Sequence, residues 1–194
     1  MCQAFKLYIQ QHLSLSTEEV ELISAYGKIV ELQKKAYLLR SGEVCNFIAF
    51  VESGTIRHFH FKEGIAKTCD ISLETAWVTD FQSFLNQMPS KITLQAVENT
   101  TLIVLPKSAL LKLYHKHPKY ESLGRLIAEE IAQRLSEIAM SLASEKPEER
   151  FQKLLKKQAA IFQRVPQKYI ASFLGISPES LSRIKRRISK SPNR

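Results

Sequence analysis

The stretch from Val165 to Arg187, VPQKYIASFLGISPESLSRIKRR, constrains this chain more than any other. It predicts two short helices around a tight turn. Pro166 suits a helix start, where the N–H it lacks would go unbonded anyway. Ile170, Ala171 and Leu174 share one face at helical spacing. Gly175 follows at once, where a helix needs a left-handed closing residue. Ser177 then caps a second helix with Pro178 at its first position, and Leu181, Ile184 and Ile188 turn inward. Ala171 is small enough for two steeply crossed backbones to approach. This is the helix-turn-helix pattern, whose second helix enters the major groove of DNA.

The outward residues agree with that pattern. Glu179, Ser180 and Arg183 lie early on the second helix and are candidate base readers. A glutamate can accept from a cytosine amino group, and an arginine can grip guanine through two hydrogen bonds. Ser177, Lys168, Lys185, Arg186, Arg187 and Lys190 are candidate phosphate contacts. The plainer alternative is a solvated helix hairpin with a basic face.

Charge is distributed to match. The 194 residues carry a net charge of +9. From Pro147 onward there are 12 Lys+Arg against 3 Asp+Glu, and the rest of the chain holds 16 of each. A neutral body with a basic end fits a sensing or assembling part joined to a nucleic-acid reader. With 44% hydrophobic residues a packed core is expected. Cys2, Cys45 and Cys69 are odd in number and widely spaced, which argues against disulfides and against a cysteine-held metal or iron–sulfur cluster. Without a long apolar run there is no signal peptide or membrane span to expect, and a reducing cytoplasm is the consistent location. No nucleophile elbow, phosphate loop or metal-ligand spacing points to an enzyme.

Before the basic end the rhythm changes twice. Met1 to Leu15 reads as a helix. Ser16 and Glu19 have capping-box spacing for a second helix, which Gly27 ends. From Ile29 to about Leu105 short strand-like runs alternate with turns at Glu52-Ser53-Gly54 and Lys62-Glu63-Gly64, with Gln95 to Leu105 as the last strand segment. They predict an antiparallel roll or jelly roll, interrupted by a short helix over Val78 to Asn86. Lys107 starts another helical section, and Pro118 opens a long helix to about Ser144. On it Leu123, Ile127, Ile131, Leu135, Ile138 and Leu142 form a narrow apolar seam. Such a seam suits a helix–helix dimer contact; the alternative is a helix packed only on its own domain. Glu145-Lys146-Pro147 reads as a hinge, and Glu148 to Phe162 as one supporting helix.

That order of parts resembles the Crp/Fnr family of bacterial transcription regulators over nearly the whole chain. Leu39-Arg40-Ser41-Gly42-Glu43, the hairpin from Val51 to Arg57, and Leu94 to Thr100 carry the resemblance in the roll; Ile170 to Ile184 carries it in the reader. The resemblance implies Glu179 and Arg183 as base readers, with Pro178 where a further base-reading arginine would stand. It also places Asp80-Phe81 where cyclic-nucleotide members have Gly-Glu, and Ser90-Lys91 where they have Arg-Ser. A lysine lacks the planar fork with which arginine holds a phosphate. The clustered cysteines of cluster-binding members are missing, and the wing beside the reader is reduced.

The expected fold is therefore α+β. It comprises a cyclic-nucleotide-binding-like antiparallel β-roll over residues 1–117, a dimerisation helix and hinge over 118–146, and an all-α helix-turn-helix domain over 147–194. The expected function is a homodimeric, sequence-specific regulator of double-stranded DNA that does not use the classical cyclic AMP cassette. The alternative is a small-molecule sensor or protein-interaction module with weak, nonspecific DNA affinity. RNA polymerase and an unidentified small-molecule effector are candidate partners; no cofactor is evident and no metal site is expected. Trp77, Phe81, Phe84, Ser90 and Lys91 are the candidate effector pocket, with core packing as the alternative for the aromatic residues. His58, His60 and Cys69 share a region of the roll, where a metal or haem site is the alternative and ordinary strand histidines are the simpler reading.

Overall fold

A computed structural model describes residues 3–190, with side chains to Ile188. Helices α1 (Gln3–His12) and α2 (Thr17–Tyr26) lead into eight strands: β1 (Lys28–Leu32), β2 (Tyr37–Leu39), β3 (Phe47–Ser53), β4 (Ile56–Lys62), β5 (Ile65–Ser72), β6 (Trp77–Val78), β7 (Thr93–Ala96) and β8 (Thr100–Pro106). The short helix α3 (Phe81–Asn86) separates β6 from β7. The capping box forms as expected: Ser16 Oγ accepts from Glu19 N, and the Glu19 carboxylate accepts from Ser16 N.

The strands build two antiparallel four-stranded sheets, ordered β1-β8-β3-β6 and β2-β7-β4-β5. Strand β3 shows how they pack. Side chains alternate across a strand, so Ala49 and Val51 face the second sheet with Leu94 and Leu102, while Ile48 and Phe50 face the helices. On that outer face Phe5, Tyr8, Phe50 and Trp77 form one aromatic cluster, with Phe50 and Trp77 centroids 5.2 Å apart. Glu52, at the end of β3, accepts from the backbone N–H groups of Ala4 and Phe5 at 2.9 and 3.0 Å. A carboxylate there satisfies otherwise orphaned donors at the start of α1 and complements its dipole.

Helix α4 (Lys107–Lys116) and a 3₁₀ turn (Pro118–Tyr120) precede the long helix α5 (Glu121–Ser144). Gly124 lets α4 and α5 meet: a Cβ there would lie 2.6 Å from the Tyr114 hydroxyl oxygen. The expected dimer seam divides here. Leu123, Ile127 and Ile131 are 0%, 0% and 4% exposed and belong to the chain's own core with Phe5, Ile9 and Leu113. They are not dimer contacts. Leu135 and Leu142, further along, remain about half exposed at 50% and 49%.

The C-terminal part is α6 (Pro147–Lys157), α7 (Ile161–Arg164), α8 (Gln167–Phe173) and α9 (Pro178–Lys190). The single helix expected over Glu148 to Phe162 breaks at Gln158, whose φ of −146° and ψ of 57° lie outside the helical region, and resumes as α7 at Ile161. The expected strand from Gln95 to Leu105 is likewise two strands, β7 and β8, and the bend at Val97-Glu98-Asn99 carries the chain from one sheet to the other. Val78 belongs to β6 rather than to a helix. Among the described residues after Pro147 there is no strand, hence no wing hairpin.

Candidate nucleic-acid interface

The turn between α8 and α9 forms for the reasons its residues suggest. Gly175 has φ +70°, a conformation costly for a residue with a side chain. Its N–H reaches Ser172 O at 3.1 Å, and Ile176 N reaches Ala171 O at 3.0 Å, closing α8. Ser177 Oγ then accepts from Ser180 N at 3.2 Å, capping α9. Ile170 and Ala171 from α8 pack on Leu181 and Ile184 from α9, all buried, with Phe151, Ile161 and Val165 beneath them.

This packing leaves the other side of α9 to solvent. Glu179, Ser182, Arg183, Arg186 and Arg187 are exposed there, and Ser180 is half-buried. Arg183 Nη2 donates to Ser180 Oγ at 3.0 Å, which orders the guanidinium over the first turn. The Ser177 hydroxyl, the helix's own N–H and the nearby Arg183 hold the Glu179 carboxylate below its ordinary range, so it is an acceptor at neutral pH. Lys168 stands exposed on α8, its ammonium 5.3 Å from the Tyr169 ring centre. Lys185 lies at the flank, 5.7 Å from the Phe162 ring. Arg187 is paired with Glu148 at 2.9 Å. The Lys190 side chain lies outside the described residues.

Sequence reasoning did not find the joint between this unit and the roll. Arg164, counted as one more basic residue, forms a fork to two carboxylates of the roll: its Nη2 lies 2.6 Å from both Glu74 and Glu98. Arg164 holds the Glu74 carboxyl down to about 2. Thr68 N donates to Ser172 Oγ at 2.8 Å, and the Arg57 guanidinium stacks 3.8 Å above the Tyr169 ring. Ile71 and Val97 of the roll are buried in the same cluster as the reader's core. Helix α8 is thereby laid along β5. Lys153 and Lys157 are also paired, with Glu145 and Glu137 on α5 and its end. Part of the C-terminal charge excess thus serves folding and is not offered to a partner.

The candidate effector residues do not surround one opening. Trp77 is 1% exposed inside the aromatic cluster, and Phe84 and Phe81 pack on the same core. Ser90 is buried and donates to the Asp80 carboxylate at 2.7 Å, while Lys91 is exposed. The packing role is the one these aromatic side chains take. His58 is buried against Ser72 Oγ at 3.0 Å, and burial pushes it down to about 4, so it is neutral. Burial pushes the Cys69 thiol up to about 11. Among the described residues no three His, Cys, Asp or Glu side chains gather as metal ligands.

Residues 29–117 match the family model of the cyclic nucleotide-binding domain. No curated protein sequence matches the chain. Among solved structures, FixK2 from Bradyrhizobium japonicum is similar with a TM-score of 0.73 at 13% identity, over 84% of this chain and 85% of that one. The c-di-GMP-responsive global regulator CLP from Xanthomonas campestris is similar with a TM-score of 0.71 at 15% identity, over 90% and 92%. A chain from Eubacterium rectale assigned to the Crp/Fnr family of transcriptional regulators gives 0.67 at 15%, over 94% and 88%. At such identities the likeness establishes the fold and assigns no residue role.

Proposed function

We propose that this chain, a cyclic nucleotide-binding domain set in the fold of the Crp/Fnr regulators, acts as a homodimeric, sequence-specific DNA-binding transcription regulator. The observation that carries the reading is the exposed start of α9, where Glu179 and Arg183 stand side by side beyond a fully packed turn. That is where a recognition helix meets base edges. Lys168 and Arg186 supply charge for phosphates, with Lys185 and Arg187 at the flanks.

Dimerisation is assigned to the second half of α5. Ala132, Leu135, Ala139 and Leu142 recur at steps of three and four, and all are exposed. Alanines between leucines let two helices approach closely in a coiled-coil-like seam. Ile138 is half-buried beside this seam.

The cyclic nucleotide cassette is read as closed. Asp80 accepts from Ser83 N and from Ser90 Oγ, so the arginine's place in the cassette holds a buried serine already bonded to a carboxylate, with no guanidinium for a cyclic phosphate. Calorimetry with cyclic AMP and cyclic GMP is expected to show no tight binding; a micromolar dissociation constant for either contradicts this part. The ion pairs of Arg164, Lys153, Lys157 and Arg187 favour a second reading, a sensor or interaction module with only weak DNA affinity. Selection from random duplexes at fixed salt decides between them. The regulator enriches an inverted repeat with half-sites about 34 Å apart; the module enriches nothing.

A further inference from the structure

A cavity of about 270 Å³ opens where the three parts of the molecule meet. Its walls come from the end of β5 and the loop after it, from α5, from α6, and from the last turn of α8. Ile71, Leu73, Ala76, Ile138, Leu142 and Leu154 make it largely apolar. Its volume is near the lower end of small-molecule sites.

The charged groups in its walls are mostly spoken for. Asp70 lies 3.1 Å from Arg134, Glu137 pairs with Lys157, Lys153 with Glu145, and Glu74 with Arg164. Arg150 differs. Its Nε donates to Leu174 O at 3.0 Å and its Nη1 to Glu145 O at 2.6 Å, with Ser141 O at 3.5 Å. These are carbonyls, which satisfy donors without cancelling the charge. Among the described residues no carboxylate pairs with Arg150, and its Nη2 makes no hydrogen bond. The nearby Glu145 carboxylate feels the Arg150 charge but is itself held by Lys153 and Ser141, and a largely apolar chamber with one guanidinium that no carboxylate directly contacts suits an apolar molecule bearing one acidic group.

We propose that this cavity is an effector site for a small hydrophobic carboxylic acid, an inference that rests on the regulator reading for its consequence. The acid group pairs with Arg150 and the apolar body fills the space among the roll, α5 and α6. Arg150 already ties the hinge carbonyl of Glu145 to Leu174, the residue before Gly175 in the reading turn. A ligand that fits one arrangement of this joint better than another shifts the orientation of α9, and so the affinity for DNA.

The test uses the full chain with sodium decanoate as probe and 1-decanol as its uncharged counterpart. Binding is followed by calorimetry, and DNA affinity is measured separately on a duplex enriched by selection. Ala76→Phe and Ile138→Trp fill the cavity from opposite walls, and thermal melting confirms that each is folded. Decanoate is expected to bind wild type, to bind the filled variants about tenfold more weakly or worse, and to outcompete decanol. It is also expected to change wild-type DNA affinity but not that of the variants. Equal binding to wild type and both folded variants, equal binding of decanol, or no binding overturns the proposal. The two readings fail separately: decanoate binding to a chain that enriches no duplex sinks the regulator reading and spares the site. DNA selection without decanoate binding does the reverse.

Discussion

His58 shows how a single residue couples the roll's interior to pH. It is 4% exposed, bonded to Ser72, with Asp70, Asp80 and Arg134 the charges around it. Desolvation holds it neutral until about pH 4, whereas the unfolded chain takes up the proton near 6.5. Because the folded value is the lower one, its contribution to stability is present above pH 6.5 and is lost as pH falls toward 4. The full swing is about 3 kcal/mol, a sizeable part of a domain's 5–15 kcal/mol or so. Thermal melting across that range should show a steeper loss for wild type than for His58→Gln, whose side chain keeps a polar contact but does not titrate. Parallel curves would place the acid sensitivity elsewhere. Residue chemistry also made the reading turn legible from sequence alone. Gly175, Ser177 and Pro178 each have one local conformational preference, and the turn uses all three. The same reasoning left Trp77 and Phe84 open between pocket wall and core, because an aromatic side chain fits both equally well, and only the neighbours decide.

At the scale of elements, α5 carries the lesson. Its apolar positions recur at helical spacing from Leu123 to Leu142, and periodicity reports a buried face without saying what buries it. The first three sit on the roll and its leading helices, whereas Leu135 and Leu142 further along are about half exposed. This changes which substitutions test the dimer. Ile131→Glu would place an unpaired charge in the chain's own core, at a cost of several kcal/mol that threatens the fold itself. Leu135→Glu with Ala139→Glu leaves that core and the cavity wall at Leu142 intact and puts like charges across the proposed seam. Sedimentation of this double variant should give a folded monomer where wild type gives a dimer. A folded double variant that remains dimeric places the interface away from α5.

The whole molecule is held by contacts that join distant parts of the chain. Arg164 with Glu74 and Glu98, Ser172 with Thr68, and the shared burial of Ile71 and Val97 fix the reader on the roll. Local patterns cannot announce such pairs, since Arg164 looks like any other basic residue of a basic segment. The roll, the long helix and the reader were each legible as units, whereas their joint, and the cavity inside it, arise only from tertiary packing. In the proposed dimer each copy of α9 meets one half-site, so one substitution strikes two symmetric positions. The central claim is that α9 reads bases and is not merely a basic face. The most direct measurement compares Arg183→Ala and Lys168→Ala with wild type on a selected duplex and on random duplexes, across a range of salt. Arg183→Ala should lose about 1–3 kcal/mol on the selected site, little on random DNA, and relax preference at one symmetric position. Lys168→Ala should weaken both kinds of DNA alike and flatten the salt dependence. If both substitutions lower affinity uniformly for selected and random duplexes, the helix is a basic face and the account is wrong.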